Sequence, residues 1–294
     1  MIPLTRVRTA NAIHSNFHGT KRVEKNLLLI EQKLAGTLEG NSKKKWDSTF
    51  WKQAKKQLLV ETKNKCAYCE TPTTVIAYGD VEHFRPKSVY WWLAYSYENY
   101  LPSCTVCNQR YKKDEFPLLD PHKLWKGPKV TSTLPKTKQK HLAKTLTVDP
   151  LNDTQGMPFK TFVNACNGEY ALIINPYLEN SADYLAYKPI LDAKQVLAVA
   201  TSPKHQPVLE ACEKYFGINR VELTDLRFQR YTEYMTFRHL LTVSSSLPAA
   251  QTRSVKNRLA DMVANNAAYA GMIRYFNTIP LDKLPWDFDL KLVG

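Results

Sequence analysis

The sequence predicts an α+β protein, mainly helical, in which a small metal-clamped finger is embedded between helical N- and C-terminal regions. Three observations lead there. Two C-x2-C pairs stand at Cys66/Cys69 and Cys104/Cys107. A strand-like run, GDVEHFRP, lies between them and ends at a proline. The flanking segments place apolar residues at helical spacing.

Residues 1–65 form a basic helical region. Within it, 41–65 reads as one amphipathic helix, with Trp46, Phe50, Trp51, Ala54 and Leu58 on one face and Lys52, Lys55 and Lys56 mostly off it. Residues 66–120 hold the concentrated chemistry. Residues 121–147, rich in Lys, Thr and Pro and without an apolar period, read as a basic linker or loop with His141 exposed. Residues 148–294 read as mainly helical and suit partner docking. Thr224 is expected to cap a helix through LRFQRYTEYMTFRHLL. A further helix over 253–277 would carry Val255, Leu259, Met262, Val263, Ala270 and Ile273 on one side. Cys166 and Cys212 stand alone and are expected to be buried as small apolar residues.

Composition limits the function classes. With 294 residues, 44% apolar content, 6 Trp, 16 Tyr and 11 Phe, the chain can fill a sizeable core. No run of about 18 apolar residues suits a membrane span. The N-terminal stretch lacks a signal-peptide pattern, so a cytoplasmic location is expected, where C-x2-C pairs bind metal more often than they oxidise. A net charge of +14 favours a polyanionic partner, nucleic acid first. An acidic protein or an anionic membrane surface would satisfy the same charge.

Each C-x2-C pair lets two thiolates of one tight knuckle share a metal. Two knuckles complete a tetrahedral four-sulfur site, which suits structural Zn²⁺ because no position is left open. The segment clamped between them has the residue types for phosphodiester hydrolysis. His83 is the candidate general base, since imidazole titrates near neutral pH. Glu82 and Asn108 could supply oxygen ligands to Mg²⁺ or Mn²⁺, with Asp80 as the alternative carboxylate. Asn99 is expected to orient the His83 ring. Arg85, Lys87 and Lys112 are candidates for holding nucleic-acid phosphates. In a regular strand Glu82 and His83 point to opposite faces, so both serve one site only if the strand ends or bulges there. Pro86 supplies an ending. The aromatic run YWWLAYSYENY (90–100) reads mostly as core around the finger.

The series Cys66-x2-Cys69, Glu82-His83, Asn99, Cys104-x2-Cys107-Asn108 resembles the HNH endonucleases, the ββα-metal or His-Me finger class. More narrowly, CAYCE, VEHFRPK, WWLAYSYENYLPSC and CN resemble the PtuB-type nucleases of bacterial Septu and retron anti-phage systems, over roughly residues 44 to 119. The resemblance implies His83 as base, Asn99 as its positioner, and Glu82 with Asn108 as metal ligands. It also implies a PtuA-like ATPase partner that gates an effector nuclease. The class often has Asp where this chain has Glu82, and His where it has Asn108. DNA is the favoured substrate. An RNA nuclease with the same site, or a non-catalytic zinc module that binds nucleic acid or protein, are the rivals; a His83 that is buried or far from Asn108 would favour the module.

Overall fold

The computed structural model describes residues 1–39, 46–73, 79–242 and 247–286. Helices α1 (Gly19–Leu34), α2 (Ser48–Lys52) and α3 (Lys55–Glu61) lead to strand β1 (Asp80–His83). Strand β2 (Tyr100–Ser103) pairs antiparallel with β1, and a seven-residue helix of π-type hydrogen bonding, the knuckle helix (Val106–Lys112), follows at once. The unit is therefore strand, strand, helix. After it come α4 (Lys136–Thr145), α5 (Phe159–Gly168), a hairpin of β3 (Leu185–Ile190) and β4 (Gln195–Ala200), then α6 (Gln206–Phe216), α7 (Val221–Thr242), α8 (Ala249–Val263) and α9 (Ala270–Asn277). The mainly helical α+β class agrees with the sequence. Among the described residues, no helix is long and apolar enough to cross a membrane.

Several elements differ from expectation. The helix expected over 41–65 is two short ones; its residues up to 45 lie outside the described set. Asp47 caps α2 by accepting from the Thr49 amide, and the chain then tightens, with Gln53 and Ala54 donating three residues back. The apolar face survives the bend, since Phe50, Ala54 and Leu58 are all buried. The basic stretch is no mere linker, because α4 forms within it. Gln139 and Ala143 face inward, four residues apart, while His141 is exposed as expected. Helix α7 begins before Thr224, whose buried hydroxyl donates to Val221 O instead of capping. The helix expected over 253–277 breaks into α8 and α9 around Tyr269, which has φ +55°. The β3–β4 hairpin had no counterpart in the sequence reading.

Two apolar cores share the molecule. One gathers α1 to α3, the aromatic run 90–100, α4 and α5; it includes Phe17, Leu29, Trp92, Tyr100 and Phe162. The other joins the cysteine knuckles to the C-terminal elements through Tyr68, Phe84, Leu101, Phe216, Tyr231 and Phe276. Tyr68 stacks on Phe216 with ring centroids 3.9 Å apart. The β1–β2 hairpin lies at the seam. Its period-2 alternation sends Tyr100 into the first core and Leu101 into the second.

Candidate functional site

The four cysteines converge. Their sulfurs all lie within 4.8 Å of one another, and Cys69 and Cys104 are 3.9 Å apart. That is far beyond a disulfide and close to the edge of a tetrahedron with metal–sulfur bonds of about 2.3 Å. Three of the four are buried, and Arg220, in the turn before α7, points Nη1 at Cys107 Sγ from 3.7 Å. A guanidinium there offsets the charge of a thiolate set. The donor set fits a metal such as zinc. Cys166 and Cys212 are buried and stand outside this cluster, as expected.

β1 presents two faces. Asp80 and Glu82 share one, pairing in register with Ser103 and Leu101, and turn toward the knuckle helix. On that side Asn108 Nδ2 donates to Asp80 Oδ2 at 3.2 Å, and Gln109 Nε2 donates to the same oxygen at 3.0 Å. Lys112 Nζ makes an ion pair with Glu82 Oε1 at 2.5 Å and donates to His83 O at 3.1 Å. Glu82 is dry: burial raises its pKa against the pull of Lys112. Asp80 is only half-buried.

The other face carries His83. The strand ends there, as Pro86 suggested, yet the His83 ring still points away from Glu82 and packs edge-on to Trp51 (4.9 Å) and to Tyr100 (5.0 Å). It is 7% exposed. Its Nε2 lies 2.9 Å from Ala94 O, which can only accept, so Nε2 carries the proton and Nδ1 keeps its lone pair. Burial first, then the Lys87 charge, hold its pKa down to about 3. The imidazole is neutral.

Asn99 does not touch the ring. Its Oδ1 accepts from Arg85 N and its Nδ2 donates to Arg85 O, both at 2.9 Å, which fixes the chain as it leaves β1. The sequence expectation that Asn99 orients the ring is replaced by the Ala94 carbonyl, a partner no side-chain motif can signal. Two of the expected phosphate-binding residues are also corrected. Arg85 is buried against Glu169, Nε to Oε2 at 2.7 Å, and Lys112 is wholly buried on Glu82, so neither faces solvent. Lys87 alone of the three stays half-exposed, over the Trp51 ring at 5.6 Å. Glu169 and Arg220 were not singled out from the sequence. Each lies far along the chain from its partner, with no motif around it.

Part of the chain is similar to curated relatives. It is 42% identical over 77 residues to the Septu protein PtuB of Bacillus mycoides (strain KBAB4), covering 21% of this chain and 26% of that protein. It is 35% identical over 99 residues to the Septu protein PtuB of Bacillus thuringiensis, covering 32% and 37%. The matched stretches thus span well under half of either relative. No family model and no solved structure matches the chain.

Proposed function

We propose that the protein is a metal-dependent HNH-type endonuclease that acts as an effector in Septu-like anti-phage defence, gated by a PtuA-like ATPase. The partial similarity to PtuB proteins supports the setting. One observation carries the chemistry: a strand–strand–helix unit, clamped by four cysteines, brings Asp80 against Asn108 and holds His83 as the neutral tautomer.

In this reading zinc on Cys66, Cys69, Cys104 and Cys107 is structural. A Mg²⁺ or Mn²⁺ ion at the site would stabilise charge on the phosphoryl oxygens and the leaving oxygen. Asp80 and Asn108 are favoured to hold it, since they touch and remain accessible, whereas Glu82 is buried on Lys112. His83 Nδ1 takes the proton of the attacking water as the new oxygen–phosphorus bond forms and the ester oxygen leaves. The Ala94 carbonyl holds the ring and stabilises the imidazolium that results. Lys87 is the site cation left to meet a phosphate.

A base with a pKa near 3 is weak, and burial is the main reason. The reading therefore requires two movements when substrate or partner binds: Trp51, on the short α2, comes off the ring, and the end of β1 turns His83 from its own face toward Asp80 and Asn108. The same burial favours a second reading, a non-catalytic zinc module that binds nucleic acid or protein. Incubating the purified chain, with and without the ATPase, with plasmid DNA and total RNA in Mg²⁺ or Mn²⁺ separates the two. Cleavage lost in both Asp80→Asn and His83→Ala supports the nuclease. No cleavage of either substrate under any of these conditions leaves the module.

A further inference from the structure

The positive charge of this molecule is unevenly held. Between Pro121 and Val148 the chain has seven lysines and no Asp or Glu, so about a tenth of the sequence carries half of the net +14. All seven are exposed. Lys136 meets Glu31 at 3.2 Å, but both side chains are open to water, where such a pair is weak and screened. Around the candidate site, by contrast, Arg85 and Lys112 are neutralised by buried carboxylates.

The lysine-rich stretch is held in place. Arg22 on α1 is buried and donates to Lys144 O, Thr147 O and Gln155 O, while Asn26 Nδ2 donates to Ala143 O. These bonds fix α4 on α1 with its lysines outward. Upstream, Trp125 packs edge-on to Trp92 (5.6 Å) and roots the strap formed by residues 121–135 in the aromatic core. A cleft of about 520 Å³ opens between α1 and α4, and Thr20, His141, Lys144 and Thr154 line it. Hydroxyl, imidazole and ammonium donors around one notch suit phosphate oxygens.

A fixed array of ammonium groups, of which Lys136 alone among the described residues pairs with a carboxylate, matches a ligand whose negative charges repeat at short intervals. An acidic protein would meet the charge but not the rest of the surface. Protein interfaces depend on apolar or aromatic anchors, and none of the exposed large apolar side chains among the described residues falls between 121 and 148. Backbone binding to nucleic acid needs no such anchors. We propose that the outer face of α4 and the strap before it form the surface on which the protein binds the phosphodiester backbone of nucleic acid. The inference rests on the reading of this chain as one that handles nucleic acid, and it assigns the binding to residues outside the cysteine-clamped unit.

The test replaces Lys129, Lys138, Lys140 and Lys144 together by Gln in the full-length, zinc-loaded chain. A control chain carries Gln at Lys188, Lys194, Lys204 and Lys214, which are equally exposed. Binding to fluorescein-labelled duplex DNA of about 30 base pairs, and to the RNA duplex of the same sequence, is followed by anisotropy across a salt series without Mg²⁺ or Mn²⁺. Every phosphate that a variant no longer neutralises should flatten the slope of log affinity against log salt by about 0.9. The α4 variant should therefore flatten it by roughly three to four, and the control by little. At moderate salt the α4 variant should bind at least about tenfold more weakly. Equal slopes in wild type and α4 variant, with binding intact, overturn the inference alone. Failure of the wild-type chain to bind either duplex overturns it together with the nucleic-acid reading, and points to an acidic protein partner.

Discussion

His83 is held from three sides, by the Trp51 edge, the Tyr100 edge and the Ala94 carbonyl. Truncation to Ala would leave a void and orphan part of a hydrogen-bonded pair, so His83→Ala should lower stability by about 1–3 kcal/mol in urea unfolding even if the residue is the base. Loss of cleavage by itself is then ambiguous, but chemical rescue is not. If His83 is the base, cleavage should drop by about 10²–10⁴-fold, and added imidazole should restore a measurable part of it. An activity unaffected by His83→Ala would remove the mechanism. Arg85 makes the contrasting case. Its guanidinium is buried on Glu169, which also accepts from Tyr90 Oη and the Trp125 amide. Arg85→Ala leaves a buried carboxylate short of its cation and should cost about 3–5 kcal/mol, whereas the slope of binding against salt should stay as in wild type. A change of slope without loss of stability would return Arg85 to the phosphate-binding set.

At the level of elements, the two knuckles and the hairpin between them depend on one another. A four-cysteine site contributes on the order of 10 kcal/mol to folding when zinc binds, so Cys66→Ser should yield insoluble or protease-sensitive protein. Elemental analysis of the wild-type chain should find one zinc per molecule, and well-folded protein without it would defeat the assignment. The knuckle helix also leans on a distant turn. Gly217 ends α6 with φ +58°, and a Cβ there would meet the Tyr111 ring at 2.4 Å. Gly217→Ala should therefore lose about 1–3 kcal/mol from overpacking. Trimming Tyr111 to Ala in the same chain should recover the steric part of that loss, leaving the backbone cost of about 1–2 kcal/mol for a Cβ at this positive φ. This dependence also marks what the sequence could tell. The cysteine spacing, the strand ending near Pro86 and the buried run of residues 90–100 were legible because each is a local pattern with one physical cause. The opposite aims of Glu82 and His83 followed from strand period alone. The buried roles of Arg85 and Lys112 were not legible, because Glu169 lies 84 residues from Arg85 and the Lys112 ion pair depends on how a π-type helix seats against β1. Helix α4 was missed because its fully buried positions are only Gln139 and Ala143, with Leu142 half-buried beside them, too faint a period against so many lysines.

Over the whole molecule, the finger is not a separable piece. Tyr68, Phe84 and Cys107 belong to the same core as Phe216, Tyr231 and Phe276. A fragment ending near Asp120 would expose that core, and it should show no cooperative unfolding transition. A cooperative transition in the fragment would mean that the C-terminal helices serve only assembly. The long-range closure has a further consequence, for synthesis. The ribosome releases His83, Asn108 and Cys107, the last of the four clustered cysteines, well before the segment holding Phe216 and Arg220, which cover Tyr68 and Cys107. At ordinary elongation rates that interval lasts roughly 5 to 20 s. Throughout it, a nascent chain has all four cysteines of the cluster but lacks the aromatic ring and the guanidinium that pack on it, so the cluster reaches its final surroundings only after residue 220 has emerged.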